Sequence, residues 1–107
     1  MNLLFVCSRN QWRSPTAEQI FNKRPYNTRS AGTAGSARIK LSEKLIIWAD
    51  LIFVMEKKHK TVIQERFSTI LNDKLIIVLD ISDDYKFMDQ ELVEMLKLAV
   101  NPYLKLT

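Results

Sequence analysis

The 107-residue chain has one cysteine, Cys7, so it holds no internal disulfide and no four-cysteine metal site. Whatever that sulfur does is the chemistry of a single thiol. Long hydrophobic runs are lacking as well: the longest reach about five residues, against the roughly eighteen that a bilayer span needs. No basic residue precedes Leu3-Leu4-Phe5-Val6, as a secretory signal would require. These absences predict a cytoplasmic protein with no membrane partner. Internal repeats and low-complexity segments are also missing, and with 47% hydrophobic residues the chain has enough to fill one core. A single domain over residues 1–107 is expected.

Acid is scarce in the first part of the chain. Residues 1 to 44 hold eight Lys/Arg and two Asp/Glu, a net +6, whereas residues 45 to 107 hold eight and ten, a net −2. The basic part attracts phosphorylated ligands of any kind, nucleic acid included, and the sign alone does not choose among them. Few aromatics cluster with these charges, which argues against a nucleic-acid partner.

Leu3-Leu4-Phe5-Val6 reads as a buried parallel strand, and Ser14-Pro15-Thr16-Ala17-Glu18 as the start of a helix capped by Ser14 and running to about Lys23. Cys7 therefore sits between a strand end and a helix start. Such a turn aims backbone N–H groups and the positive helix end at one point, a field that suits an anion and favours the thiolate of a cysteine placed in it. Arg13, six residues on, adds a planar fork of donors able to grip two phosphate oxygens. Ser8, Arg9, Asn10, Gln11, Trp12, Arg13 and Ser14 then form a phosphate cradle with a nucleophile at its base.

Further strands are expected at Thr28–Gly32, Leu51–Met55 and Leu75–Leu79, with helices over Leu41–Trp48, Glu56–Arg66 and Phe87–Tyr103. Alternating strand and helix predicts an α/β three-layer sandwich: a central four-stranded parallel sheet, right-handed crossovers, and the phosphate-binding loop after the first strand. Ligands in such sheets bind beyond the carboxyl ends of the strands where strand order reverses. Asp80 to Tyr85, after the fourth strand, should emerge at the same edge as Cys7. Phe53 and Trp48 read as core, and His59, alone in a lysine-rich helix, as a surface residue.

Cysteine, five residues, arginine and serine is the spacing of protein tyrosine phosphatases. Leu-Phe-Val-Cys-x-x-Asn-x-x-Arg-Ser-Pro-x-Ala-Glu resembles their low-molecular-weight branch in particular, as does Ser30-Ala31-Gly32-Thr33. The resemblance implies a phosphomonoester hydrolase acting through a cysteinyl-phosphate, with a phosphotyrosine protein or small aryl phosphate as substrate and neither metal nor cofactor. It also excludes the related arsenate reductases, which need further cysteines. Releasing a phenolate with a pKa near 10 requires a proton donor. Asp83 and Asp84 both qualify, and the branch's Asp-Pro-aromatic acid loop implies Asp83 as the acid and Tyr85 as the substrate-side aromatic.

Two loop residues depart from the branch: Arg9 stands for glycine and Trp12 for a second cysteine. A positive φ at Arg9 would cost about 1–2 kcal/mol, whereas Asn10 tolerates a left-handed turn. With the loop closed, Arg9 lies outside the cradle as a second attraction for substrate, and Trp12 walls the pocket. The chain is also shorter than typical members of the branch, which implies a shallower, more open cleft. The rival to the enzyme is a phosphate-, phosphoprotein- or nucleic-acid-binding module with the same loop, its catalysis spoiled by Arg9.

Overall fold

The structure is a computed structural model that describes residues 1–104. Four parallel strands, β1 (Asn2–Cys7), β2 (Asn27–Gly32), β3 (Leu51–Val54) and β4 (Ile76–Val78), lie in the order β2-β1-β3-β4. Helices α1 (Arg13–Phe21), α2 (Glu43–Trp48), α3 (Lys57–Arg66) and α4 (Gln90–Val100) cover both faces. This is the expected three-layer sandwich. The chain passes from β1 to one side for β2 and to the other for β3, so strand order reverses at β1 and opens a crevice beyond its carboxyl end.

Side chains alternate across the central strand. Leu3, Phe5 and Cys7 face one layer, where Ala17 and Phe21 of α1 meet Leu92, Leu96 and Val100 of α4; Leu4 and Val6 face the other, with Ile46 of α2 and Ile63 of α3. Phe5 stacks between Phe21 and Phe53 at centroid distances of 5.6 and 5.2 Å. Full burial of each such side chain contributes about 1.5–3 kcal/mol, which fixes β1 and with it the position of Cys7. Phe53 is core as expected, whereas Trp48 is only half-buried, its ring covered by the Arg29 guanidinium 4.5 Å away.

Helix ends differ from expectation for identifiable reasons. Ser14 does not cap α1: Trp12 holds the cap position with no side-chain bond, because the Ser14 hydroxyl is engaged beneath the loop. In α2 Ser42 does cap, its oxygen accepting from Leu45 N at 3.4 Å. The closing helix starts at Gln90 rather than Phe87, because Asp89 Oδ1 takes the Glu91 amide at 2.9 Å. It ends at Val100, where Pro102 admits only a 3-10 turn over Asn101–Tyr103.

Gly32 is the last residue of β2 and pairs with Cys7. A β-carbon there would lie 2.5 Å from the Ser8 carbonyl oxygen and 2.6 Å from the Ala37 β-carbon. Lack of a side chain lets the segment 33–38 pack directly against the loop that follows β1. No helix among the described residues is long and apolar enough to cross a membrane.

Candidate active site

The loop from Cys7 to Arg13 is held by its carbonyls. Cys7 O accepts from Thr33 N (3.0 Å), Ser8 O from Ala34 N (2.9 Å), Arg9 O from Arg38 N (3.0 Å) and Asn10 O from Arg38 Nε (3.1 Å). At the loop's far end Trp12 O accepts from the Thr16 amide and hydroxyl at 3.1 and 2.6 Å. In a planar trans peptide the N–H points opposite to the C=O. Tying five carbonyls to the outside therefore turns the amides of Ser8, Arg9, Asn10, Gln11 and Arg13 inward. Among the described residues the amides of Ser8 to Trp12 donate to no protein group. The result is a ring of donors around one point, and the positive end of the nine-residue α1 adds to it.

The backbone bends through a positive φ at Asn10 (55°), and Arg9 has none. The strain expected from a β-carbon at Arg9 does not arise: the left-handed position falls one residue later, on the residue type that bears it. Arg9 projects outward and is exposed.

Cys7 Sγ lies at the base of the pocket, 2.9 Å from Ser14 Oγ. Asn10 Nδ2 donates to that same oxygen at 2.9 Å, which leaves the Ser14 proton to be directed at the sulfur, with Ala31 O a more distant acceptor at 3.4 Å. Asn10 and Ser14 are buried beneath the loop rather than facing a ligand. The pocket, about 330 Å³, is walled by Ser8, Arg9, Gln11, Trp12 and Arg13 of the loop and by Lys58 and Asp83. Asp84 is not part of its wall; its carboxylate accepts from Ser82 Oγ at 2.7 Å.

Tyr85 is placed differently from expectation. It is half-buried on the layer formed with α4, its hydroxyl 3.5 Å from Glu91, and it does not line the pocket. The ring gains more by covering apolar surface there than by standing in the open mouth.

Further contributors lie far along the chain from the loop. Arg13, 2% exposed, gives Nη1 to Glu56 Oε2 at 2.5 Å and to Ile81 O at 2.8 Å. Its Nε lies 3.7 Å from Asp83 Oδ1, so one side of the guanidinium is anchored and the other faces the pocket. The hydrogen bond from Arg13 holds the Glu56 carboxyl below its ordinary value, against the opposing effect of burial. Lys58 Nζ lies 3.8 Å from the same carboxylate.

His59 is buried, 1% exposed, not a surface residue as its lysine-rich context suggested. It occupies the third position of α3, where Nδ1 accepts the Glu56 amide (3.0 Å) while Glu56 caps the helix. Burial, reinforced by the Arg13 charge, pushes its pKa down to about 4, so the ring is neutral at pH 7. With Nδ1 accepting, Nε2 carries the proton and donates to Ser8 Oγ at 2.9 Å. The Ser8 hydroxyl is thereby free to donate into the pocket. No local sequence signal marked Glu56 or His59; a capping residue three positions before a histidine was the only trace.

A lone thiol under a ring of inward amides, at the strand-order reversal of a doubly wound sheet, is an arrangement with the donors to receive an oxyanion over the sulfur. In sequence the chain matches no family model and none of the curated proteins. Its fold does match solved structures. A YwlE mutant from Bacillus subtilis is 28% identical, the match covering 97% of this chain and 99% of that one, with a TM-score of 0.70. A Cys-to-Ser variant of the YwlE arginine phosphatase, its active-site serine phosphorylated, is 26% identical over 98% and 97% of the two chains, TM-score 0.71. A low-molecular-weight protein tyrosine phosphatase from T. tengcongensis is 23% identical over 94% and 93%, TM-score 0.72. The chain has the fold of the cysteine-dependent low-molecular-weight protein tyrosine phosphatases.

Proposed function

We propose that the protein hydrolyses phosphomonoesters, phosphotyrosine above all, through a cysteinyl-phosphate. The observation that carries this reading is the loop with five of its carbonyls tied away from the pocket around Cys7, with Arg13 fixed in its wall. Thiolate Cys7 attacks phosphorus, the amides and the pocket-facing edge of Arg13 hold the equatorial oxygens, and Asp83 gives a proton to the departing oxygen. Asp83 is 67% exposed at the rim, where it meets the ester oxygen of a substrate seated over the sulfur. Water then attacks the phosphocysteine, its proton passing to the Asp83 carboxylate, and the bond electrons return to sulfur. Ser14, with its proton directed at Sγ, stabilises that leaving thiolate.

The binding-module alternative rested on a loop spoiled by Arg9, and the backbone places no positive φ there. A second reading, hydrolysis of phosphoarginine, draws on the YwlE arginine phosphatase. Arg9 and Lys58 in the pocket wall oppose it, since they would repel a guanidinium leaving group.

p-Nitrophenyl phosphate tests the reading directly. Wild-type protein should release a stoichiometric burst of nitrophenol before steady turnover, Cys7→Ser should release none, and Asp83→Asn should lose roughly 10²-fold in kcat. Turnover surviving in Cys7→Ser removes the nucleophile. Faster turnover of phosphoarginine than of phosphotyrosine replaces the substrate assignment.

A further inference from the structure

Beside the catalytic pocket, and sharing Arg9 and Gln11 with it, lies a second cavity of about 300 Å³ completed by Ser36 and Arg38. Its two arginines come from segments far apart in the chain, and backbone contact joins them: the Arg38 amide donates to Arg9 O at 3.0 Å. Arg38 is further fastened by Nε to Asn10 O at 3.1 Å, which fixes the plane of its guanidinium while leaving both terminal nitrogens to project. Both arginines are exposed. Among the described residues no carboxylate lies within ion-pair distance of either. Elsewhere at the site cations are matched: Arg13 has Glu56 and Asp83, and Lys58 has Glu56.

We propose that this cavity is an anion subsite that receives a carboxylate of the phosphorylated peptide, so that the protein selects phosphotyrosine in an acidic sequence context. The proposal rests on the phosphatase reading for its substrate, but its chemistry is separate. Two guanidinium groups face one opening, one of them preoriented, and a carboxylate beside the phosphorylated residue can accept from both. Arg9 then has a use that the glycine of the related loops could not supply. Being exposed, the pairs are screened by salt and contribute modestly, so the subsite tunes selection among peptides rather than creating affinity.

Binding is measured with the Cys7→Ser protein, which needs no turnover, using fluorescein-labelled phosphotyrosine peptides of one length flanked either by Glu or by Gln. The Glu peptide should bind roughly three- to tenfold more tightly in low salt, the ratio shrinking in 0.5 M NaCl. Adding Arg38→Glu should bring the ratio to one or invert it. Because Arg38 also braces the loop, Ser36→Asp provides a second perturbation: it puts a carboxylate on the cavity wall without touching a loop bond, and should likewise collapse the ratio. Equal affinities for the two peptides, or a ratio that survives both substitutions, overturn the subsite. Absence of nitrophenyl phosphate turnover in the wild-type protein overturns the phosphatase reading instead, and the peptide affinities still decide the subsite.

Discussion

The chain's only histidine allows a clean test of the loop's support. His59 is neutral and buried, with Nδ1 accepting from the Glu56 amide, Nε2 donating to Ser8, and Arg13, Lys58 and the Glu56 and Asp83 carboxylates around it. Its pKa falls from about 6.5 in the unfolded chain to about 4 in the folded one. The unfolded chain therefore binds the proton first. Stability is full above pH 6.5, falls as pH drops below that value, and levels off below about 4. At pH 5, 1.5 units below the unfolded value, the loss at 1.36 kcal/mol per unit is about 2 kcal/mol. With a urea m-value of about 1–3 kcal/mol/M, the midpoint should drop by roughly 1 M between pH 7 and pH 5. Glu56, held below its ordinary value by Arg13, adds little in this window, because its contribution is lost only as pH falls below that ordinary value of 4.5. The control is His59→Gln, whose amide can still donate to Ser8 but does not titrate; its midpoint should be nearly flat over the same range. If wild type and His59→Gln lose stability in parallel from pH 7 to 5, the histidine is not buried neutral and the assignment of its proton to Nε2 fails.

Two further outcomes follow from the packing around the loop. Gly32→Ala should lower stability by about 1–3 kcal/mol and reduce phosphatase activity, because the new β-carbon meets the Ser8 carbonyl at 2.5 Å and neither neighbour is a flexible side-chain end; thermal melts that superimpose on wild type refute the close approach. Glu56→Gln should weaken inhibition by vanadate roughly tenfold, since the anchored edge of Arg13 loses its charged partner; an unchanged inhibition constant means that Ile81 O alone positions the guanidinium.

What the sequence disclosed and what it withheld divide along contact distance. β1, β3 and β4 were visible as short apolar runs, the polar β2 only as a short stretch ending in Gly32, and the β1 loop as a stretch in which turn, cap and helix signals meet within sixteen residues. Parallel pairing followed from alternation of strand and helix, whereas the order β2-β1-β3-β4 came only from the structure. The supports of the site were hidden because they are long-range. Glu56 reaches Arg13 across 43 positions and His59 reaches Ser8 across 51. A lysine-rich helix looks solvated in sequence, and only the docking of its first turn against the loop shows that one of its polar residues is internal. Tyr85 misled for the opposite reason: its neighbours suggested a site, whereas its ring found apolar surface next to α4.

The loop also shows which of its positions are free to vary. A ring of inward amides constrains the backbone, so residue identity matters only where the backbone is unusual or the side chain turns under the loop. Asn10 meets both conditions, with its φ of 55° and its bond to Ser14, and Ser14 meets the second through Cys7. Arg9, Gln11 and Trp12 meet neither; their side chains point outward and are exposed. Arginine for glycine at position 9 and tryptophan for cysteine at position 12 therefore leave the donor ring intact and alter only the rim of the pocket. The base of the pocket is thus set by Cys7, Asn10 and Ser14, and side-chain changes at positions 9, 11 and 12 act on its mouth alone.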